Sequence, residues 1–482
     1  VNPLLGEMRA TWRLALPMVI GQVASHLVQF ADMAMIGRVG VHSLAAASFA
    51  NNVFFLFILF SFGLGSALSI LVSEAHGRRD HAEKLEILRI GLLVCGAAAV
   101  VGALALSGLV LGTNWWHLGQ PEVVLAEAKS YLIYLAVSMV PLLLFSSLKG
   151  YCEAVDDPWN PLLHLCGAIA ANVFFNWVFI FGNLGAPAMG LDGAGLATVM
   201  ARTLSVVTLW IWMGWARKHR MRWRWREFFR FEVRRKWELI RLGTPIGLQI
   251  SFEVATFNVA VFMMGWMPNG PVAIAAHAIA MNYCALAFMV PLGVMFAVSI
   301  RVGQARGDNN LPQARRIGLA AAIMVAAFML VVAFIFITFR DWLPFLFLSV
   351  AAENEVELVL ALASKLLLFG AIFAVFDGLQ VVLIGALRGF RDVRIPTIIS
   401  FVTYWVICLP LGFVLAFRLD GTDRLPGVVA KMADMLPAIG QGFGAEGIWI
   451  ALCIALSLAG VVASVRFWWV VWRGHAPQEV AS

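Results

Sequence analysis

The sequence predicts an all-α membrane protein of twelve transmembrane helices, arranged as two six-helix bundles related by a parallel internal repeat. Three observations carry that prediction. The 482 residues are 61% hydrophobic and only 13% charged, with a mean hydropathy of +0.85, whereas a soluble domain carries about twice that charged fraction. The apolar residues gather in twelve stretches long enough to cross a bilayer core, which takes about 20 residues per helix. Short segments of the first half also recur in the second.

The spans fall at 11–38, 44–75, 86–111, 123–150, 160–185, 191–216, 237–266, 271–302, 314–340, 356–388, 395–418 and 446–472. The first is too long for the core of a signal peptide and is interrupted by His26, Gln29 and Asp32, so it reads as a retained helix. Pro17, Pro141, Pro245, Pro291 and Pro410 each free a backbone group inside a span and permit bending. The six cysteines are scattered singly through apolar stretches, without CxxC or Cys/His spacing, and read as small core residues rather than disulfides or metal ligands.

Charge orients the chain. With the N-terminus inside, the cytoplasmic segments hold Arg9, Arg13, Arg78, Arg79, Lys84, Arg89 and Lys149, then a basic run of eleven Lys and Arg from Arg217 to Arg241, then Arg301, Arg306, Arg315, Arg316, Arg388, Arg391, Arg394, Arg466 and Arg473. The opposite side holds only Arg38, Lys129, Arg340, Arg418, Arg424 and Lys431. This asymmetry is the positive-inside rule and predicts a multi-pass plasma-membrane protein with both termini cytoplasmic. The run RKHRMRWRWREFFRFEVRRK (217–236) reads as a linker on the anionic inner leaflet, with its Trp and Phe at headgroup level, rather than as a nucleic-acid site. The expected division is a bundle over 1–216, the linker over 217–236 and a second bundle over 237–482.

The halves correspond. Pro17 in LALPMVIG answers Pro245 in RLGTPIGL, and MAMIG at 33–37 answers VFMMG at 261–265, the same 228 residues on. LSILVSEAHG (68–77) answers VSIRVGQARG (298–307), and Gly150, Asp157 and Pro161 answer Gly385, Asp392 and Pro396 at one common shift. Because six helices per half is an even number, both halves begin on one side of the membrane and the repeat is parallel.

Against this apolar background a few polar residues stand out. Asp377 lies in IFAVFDGLQVVLIGALRGFRD and Glu253 in LQISFEVATFN, each near the middle of its span. A bare acid at that depth costs about 2.5–3.5 kcal/mol. Two carboxylates in low dielectric either share a proton or bind a cation; the alternative is that each merely glues helices by a hydrogen bond. The lack of an evident basic partner favours function. In the first half Asp32 is accompanied by Asn172 and Asn176, four apart on one helix face, and by Thr198. One carboxylate with neutral oxygens suits Na⁺, and an ordinary polar helix interface explains the spacing equally well. His26, His164 and His277 read as hydrogen-bonded packing groups, Lys365 and Arg202 as snorkelling side chains, and Glu74 with Arg78 as a structural ion pair.

The DGLQVVLIGALRGFRD stretch, the Phe252–Glu253 pair and the ordered features of helices 1, 7 and 10 resemble the multidrug and toxic compound extrusion (MATE) transporters, most closely their NorM-type branch, over essentially the whole chain. The resemblance implies a first-bundle cation site at Asp32, Asn172, Asn176 and Thr198, where Na⁺ is possible. It also implies cation coupling and substrate binding at Glu253 and Asp377, to which Gln249 is added as a substrate contact.

No GxxxxGK[ST], HExxH, GxSxG or Cys/His metal pattern occurs, so the chain has no nucleotide engine of its own and no enzymatic nucleophile–base pair. The expected function is a secondary antiporter that exports amphipathic, cationic organic compounds against Na⁺ or H⁺. It would act as a monomer, without cofactor or nucleic acid, in the lipid bilayer. A flippase of a lipid-linked precursor is the alternative among transporters, and a channel or membrane-embedded enzyme the alternative outside them.

Overall fold

The computed structural model describes residues 3–112, 122–216, 233–347, 354–417 and 442–473. The basic linker therefore lies, up to residue 232, outside the described residues. Twelve helices among the described residues are long and apolar enough to cross a membrane. They are α1 (Pro3–Gly37), α2 (Val41–Gly77), α3 (His81–Leu111), α4 (Glu122–Ala154), α5 (Trp159–Phe181), α6 (Leu191–Trp215), α7 (Val233–Gly265), α8 (Gly270–Gly307), α9 (Leu311–Phe339), α10 (Asn354–Gly389), α11 (Arg394–Ala416) and α12 (Ala445–Arg473). In lipid a backbone group finds no water, so an apolar segment satisfies its own N–H and C=O groups as a helix. α1 runs unbroken through Pro17, and α4, α7 and α8 likewise contain a proline. α11 is different: its middle, Phe401–Cys408, is wound as a π-helix. Pro410 follows directly and has no N–H to return to the preceding turn, a local reason for the wider winding.

Four helix ends show the repeat in the backbone. After α2, Arg79 is left-handed (φ 61°), its N–H donates to His76 O, and the N–H of Asp80 reaches back to Ala75 O. After α8, Asn309 (φ 54°) donates to Arg306 O and Asn310 to Ala305 O. After α4, Asp156 (φ 60°) donates to Glu153 O and Asp157 to Cys152 O; after α10, Arg391 (φ 63°) donates to Arg388 O and Asp392 to Leu387 O. These are Schellman endings, which favour glycine at the left-handed residue. All four use another residue, at positions related by the offsets already seen between the two halves.

The chain forms two compact units. One comprises Trp12–Ile250 and Ile300–Asn310. Its core, around Ile36, Phe54, Leu106, Leu132 and Met139, joins α1 to α4. Within it α2 meets the early part of α7 at backbone distance: a Cβ on Gly63 would stand 2.3 Å from Gly247 N and 2.4 Å from Gly243 O. The end of α2 meets the end of α8 reciprocally, since a Cβ on Gly77 would stand 2.0 Å from Gln304 O and one on Gly307 2.1 Å from Glu74 O. Ion pairs surround these contacts. Glu74 pairs with Arg78 (2.6 Å) and Arg306 (3.7 Å), and Glu83 with Arg78 (2.9 Å) and Arg235 (2.8 Å). The Glu74–Arg78 pair is the one expected from sequence.

The other unit comprises Val1–Thr11, Ser251–Ser299 and Leu311–Ser482. α10 packs in it between α9 and α12. Its Asp392 accepts from Arg466 Nε at 2.7 Å, and Trp449, fully buried, donates its indole N–H to His277 Nδ1 at 3.1 Å. That is the packing role read for His277. His164 plays it in the other unit, 3.1 Å from Thr208 Oγ1.

Candidate functional site

In the first unit α1 and α5 bring Asp32 and two asparagines together. Asn172 and Asn176 lie one helical turn apart on α5 and are both buried. The Asn176 amide nitrogen donates to Asp32 Oδ1 at 2.6 Å and to Asn172 Oδ1 at 3.3 Å. That leaves Asn176 Oδ1 buried with no hydrogen-bond partner among the described residues. A buried acceptor without a donor is costly, and a hard cation or a donor group satisfies it. The set is a carboxylate with neutral oxygens, the chemistry of Na⁺ rather than of a transition metal, and no group of three or more His, Cys, Asp or Glu poised for a metal occurs among the described residues. Thr198 is buried on α6, where its hydroxyl donates to Ala194 O; no hydrogen bond among the described residues joins it to the other three.

Arg202 departs from its sequence reading. It stands near the midpoint of the 25-residue α6 and does not snorkel to an end. Its Nη1 donates to Ser138 Oγ on α4 at 2.6 Å, and its guanidinium carbon lies 5.4 Å from the centre of the Phe54 ring on α2. Both Asp32 and Tyr131 are within its electrostatic reach. Lys365, read in the same way, does reach outward, to Glu446 Oε1 at 3.0 Å.

In the second unit Glu253 on α7 and Asp377 on α10 are close enough to interact electrostatically. Among the described residues neither carboxylate has a hydrogen bond or an ion pair, although Asp377 is only 5% exposed. Two further groups belong to this cluster. Tyr404, fully buried in the π-helical turn of α11, shares hydrogen bonds of 3.0 and 3.1 Å with Gln380 and lies within electrostatic reach of both acids. Arg388, read from the sequence only as a cytoplasmic-side base, is buried, with Nη1 3.6 Å from Met295 Sδ and Glu253 in electrostatic reach, so Glu253 has a basic neighbour that the sequence did not reveal, because it lies on another helix. The indole of Trp405 donates to Phe252 O at 3.1 Å and ties α11 to α7 beside Glu253. Gln249, one turn before Glu253, is buried and falls in the first unit.

The MatE family model matches residues 17–178 and again 245–414. The chain belongs to the MatE family. The two matches begin 228 residues apart, the offset at which Pro17 answers Pro245. Similar relatives include the probable multidrug resistance protein NorM of Mesorhizobium japonicum, 33% identical over 96% of this chain and 93% of the relative, and that of Bradyrhizobium diazoefficiens, 34% identical over 97% and 94%. Among solved structures, the outward-facing conformation of a multidrug resistance MATE family transporter superposes with a TM-score of 0.83 at 17% identity, covering 97% of this chain and 96% of that one. The eukaryotic MATE transporter AtDTX14 superposes at 0.81 and 19%, covering 98% and 99%. These likenesses establish a MATE fold of twelve transmembrane helices in two six-helix bundles, the fold class predicted from the sequence.

Proposed function

We propose that this MatE-family chain is a secondary antiporter that exports amphipathic, cationic organic compounds in exchange for Na⁺ or H⁺ by alternating access. The observation that carries the reading is the Glu253–Asp377 pair, two like charges within the membrane span with no protein hydrogen bond or ion pair among the described residues. Such a pair is relieved by a proton, a metal cation or a cationic substrate. A group that takes either a coupling cation or a cationic substrate makes the two mutually exclusive, which is what exchange requires. The cation-binding set is Asp32, Asn172, Asn176 and Thr198 in the first bundle and Glu253 and Asp377 in the second, with Gln249 as a further substrate contact. The coupling cation, as cargo, favours one access state and the substrate the other, and the free-energy difference between the two affinities drives export.

The protein sits as a monomer in the plasma membrane, with the basic linker of 217–236 between bundles 1–216 and 237–482 and with both termini on the cytoplasmic side. The names of the NorM relatives support the multidrug reading. The test is efflux of ethidium or norfloxacin from membrane vesicles under Na⁺ and pH gradients imposed separately. Efflux should follow at least one gradient, and efflux indifferent to both would sink the proposal.

A further inference from the structure

A permanent positive charge lies within electrostatic reach of the carboxylate of the first bundle, on a perch that does not match it. An arginine stays protonated in proteins and carries five N–H donors in a planar fork suited to carboxylates. Arg202, midway along α6, spends them on a neutral hydroxyl, Ser138 Oγ at 2.6 Å, and on the face of Phe54 at 5.4 Å. Asp32 is within its electrostatic reach without an ion pair joining the two among the described residues. The groups around Asp32 are Asn176 on α5, Tyr131 on α4 and Arg202 on α6. None of them but Arg202 carries a positive charge.

We propose that Arg202 is a tethered counter-ion for Asp32 that competes with the coupling cation. Held on Ser138 and Phe54, it leaves the carboxylate open to the coupling cation, and it moves onto the carboxylate in the cation's place. The first-bundle site is thus never a bare negative charge in low dielectric, and its affinity is held low enough to release the ion. Two positive charges cannot share one carboxylate without strong repulsion, so occupancy by Arg202 and by the cation exclude each other. The inference rests on the reading of Asp32 as a coupling-cation group. A purely structural arginine, stapling α2, α4 and α6, makes a different prediction: its loss lowers stability and leaves cation affinity alone.

The test measures the midpoint of intrinsic Trp fluorescence change in purified full-length protein, titrated with Na⁺ at fixed pH and with protons in the absence of Na⁺, alongside thermal stability. Arg202→Gln should tighten the midpoint for the coupling ion about tenfold, equivalent to about 1.4 kcal/mol, and Arg202→Lys should restore it to within about threefold. Ser138→Ala removes the perch and should shift the midpoint the opposite way, towards weaker binding. Opposite shifts at the two positions cannot come from a general loss of stability. An unchanged or weakened midpoint in Arg202→Gln, with Asp32→Asn abolishing the signal, overturns this proposal alone. A signal that survives Asp32→Asn overturns the assignment of Asp32, and this proposal with it.

Discussion

At the scale of single residues, three membrane carboxylates have three surroundings. Asp32 is held by an amide, Asp377 is buried without a hydrogen bond among the described residues, and Glu253 faces both Asp377 and Arg388. Asp377→Asn and Glu253→Gln should each abolish gradient-coupled efflux while leaving the protein inserted and folded, because an amide keeps the volume and removes the charge. Normal pumping by both variants, in the vesicle assay above, would make the second-bundle pair structural. In the first bundle the two candidate ions respond differently. Asp32→Asn should remove coupling for either ion, whereas Asn176→Leu deletes the orphaned acceptor and should weaken Na⁺ binding strongly while sparing proton-driven transport. The measurement is Na⁺-dependent Trp quenching beside pH-driven efflux; unchanged Na⁺ affinity in Asn176→Leu would exclude it as a ligand. The acids were legible in the sequence because a charge in a 20-residue apolar run stands out on cost alone. Tyr404, Gln380 and Ser138 were not, since a hydroxyl or amide in a span is common helix glue and its partner, on another helix, leaves no periodic trace. Arg202 was misread because snorkelling is the usual fate of a basic side chain near lipid, and only the fold shows the inward hydroxyl that holds it.

At the scale of elements, hydropathy placed the helices and said little about how they touch. The seventh span was expected at 237–266 and runs Val233–Gly265; the tenth was expected at 356–388 and runs Asn354–Gly389. The π-helical turn of α11 was not legible, because it depends on where Pro410 leaves a carbonyl without its donor. The glycine contacts of α2 with α7 and α8 were also hidden: glycine is common in membrane helices, and only the partner backbone distinguishes a necessary one. Gly307 and Gly167 test this. A Cβ at Gly307 meets the carbonyl of Glu74 at 2.1 Å, a backbone atom that cannot step aside, whereas one at Gly167 meets nothing within 4 Å. Gly307→Val should therefore cost about 1–3 kcal/mol or more through overpacking, seen as a lower melting temperature and folded yield in detergent. Gly167→Ala should be neutral or slightly stabilising, by up to about 1 kcal/mol. Equal stability of the two variants would mean that the α2–α8 contact opens at little cost.

At the scale of the whole molecule, the repeat makes a statement about sidedness that two pairs of turns can decide. The α2–α3 and α8–α9 turns end their helices with the same left-handed geometry at Arg79 and Asn309, and a parallel repeat of six helices puts such equivalent turns on one side of the membrane. Asp80 and Asp308 are exposed in these turns; Val39 and Asn269 are exposed in the α1–α2 and α7–α8 turns, one helix earlier in each half. Single cysteines can be placed at the four positions in a background where Cys166, the exposed one of the six free cysteines, is serine. An impermeant maleimide applied to intact cells should label the cysteines at Val39 and Asn269 and spare those at Asp80 and Asp308, and inverted vesicles should give the reverse. The positive-inside rule sets which pair faces the cytoplasm, and the even number of helices per half sets that the members of each pair agree. If both pairs labelled from the sides opposite to these, the orientation alone would be wrong. If Asp80 and Asp308 labelled from different sides, the halves would be inverted, and the offsets linking Pro17 to Pro245 and Arg79 to Asn309 would need another cause.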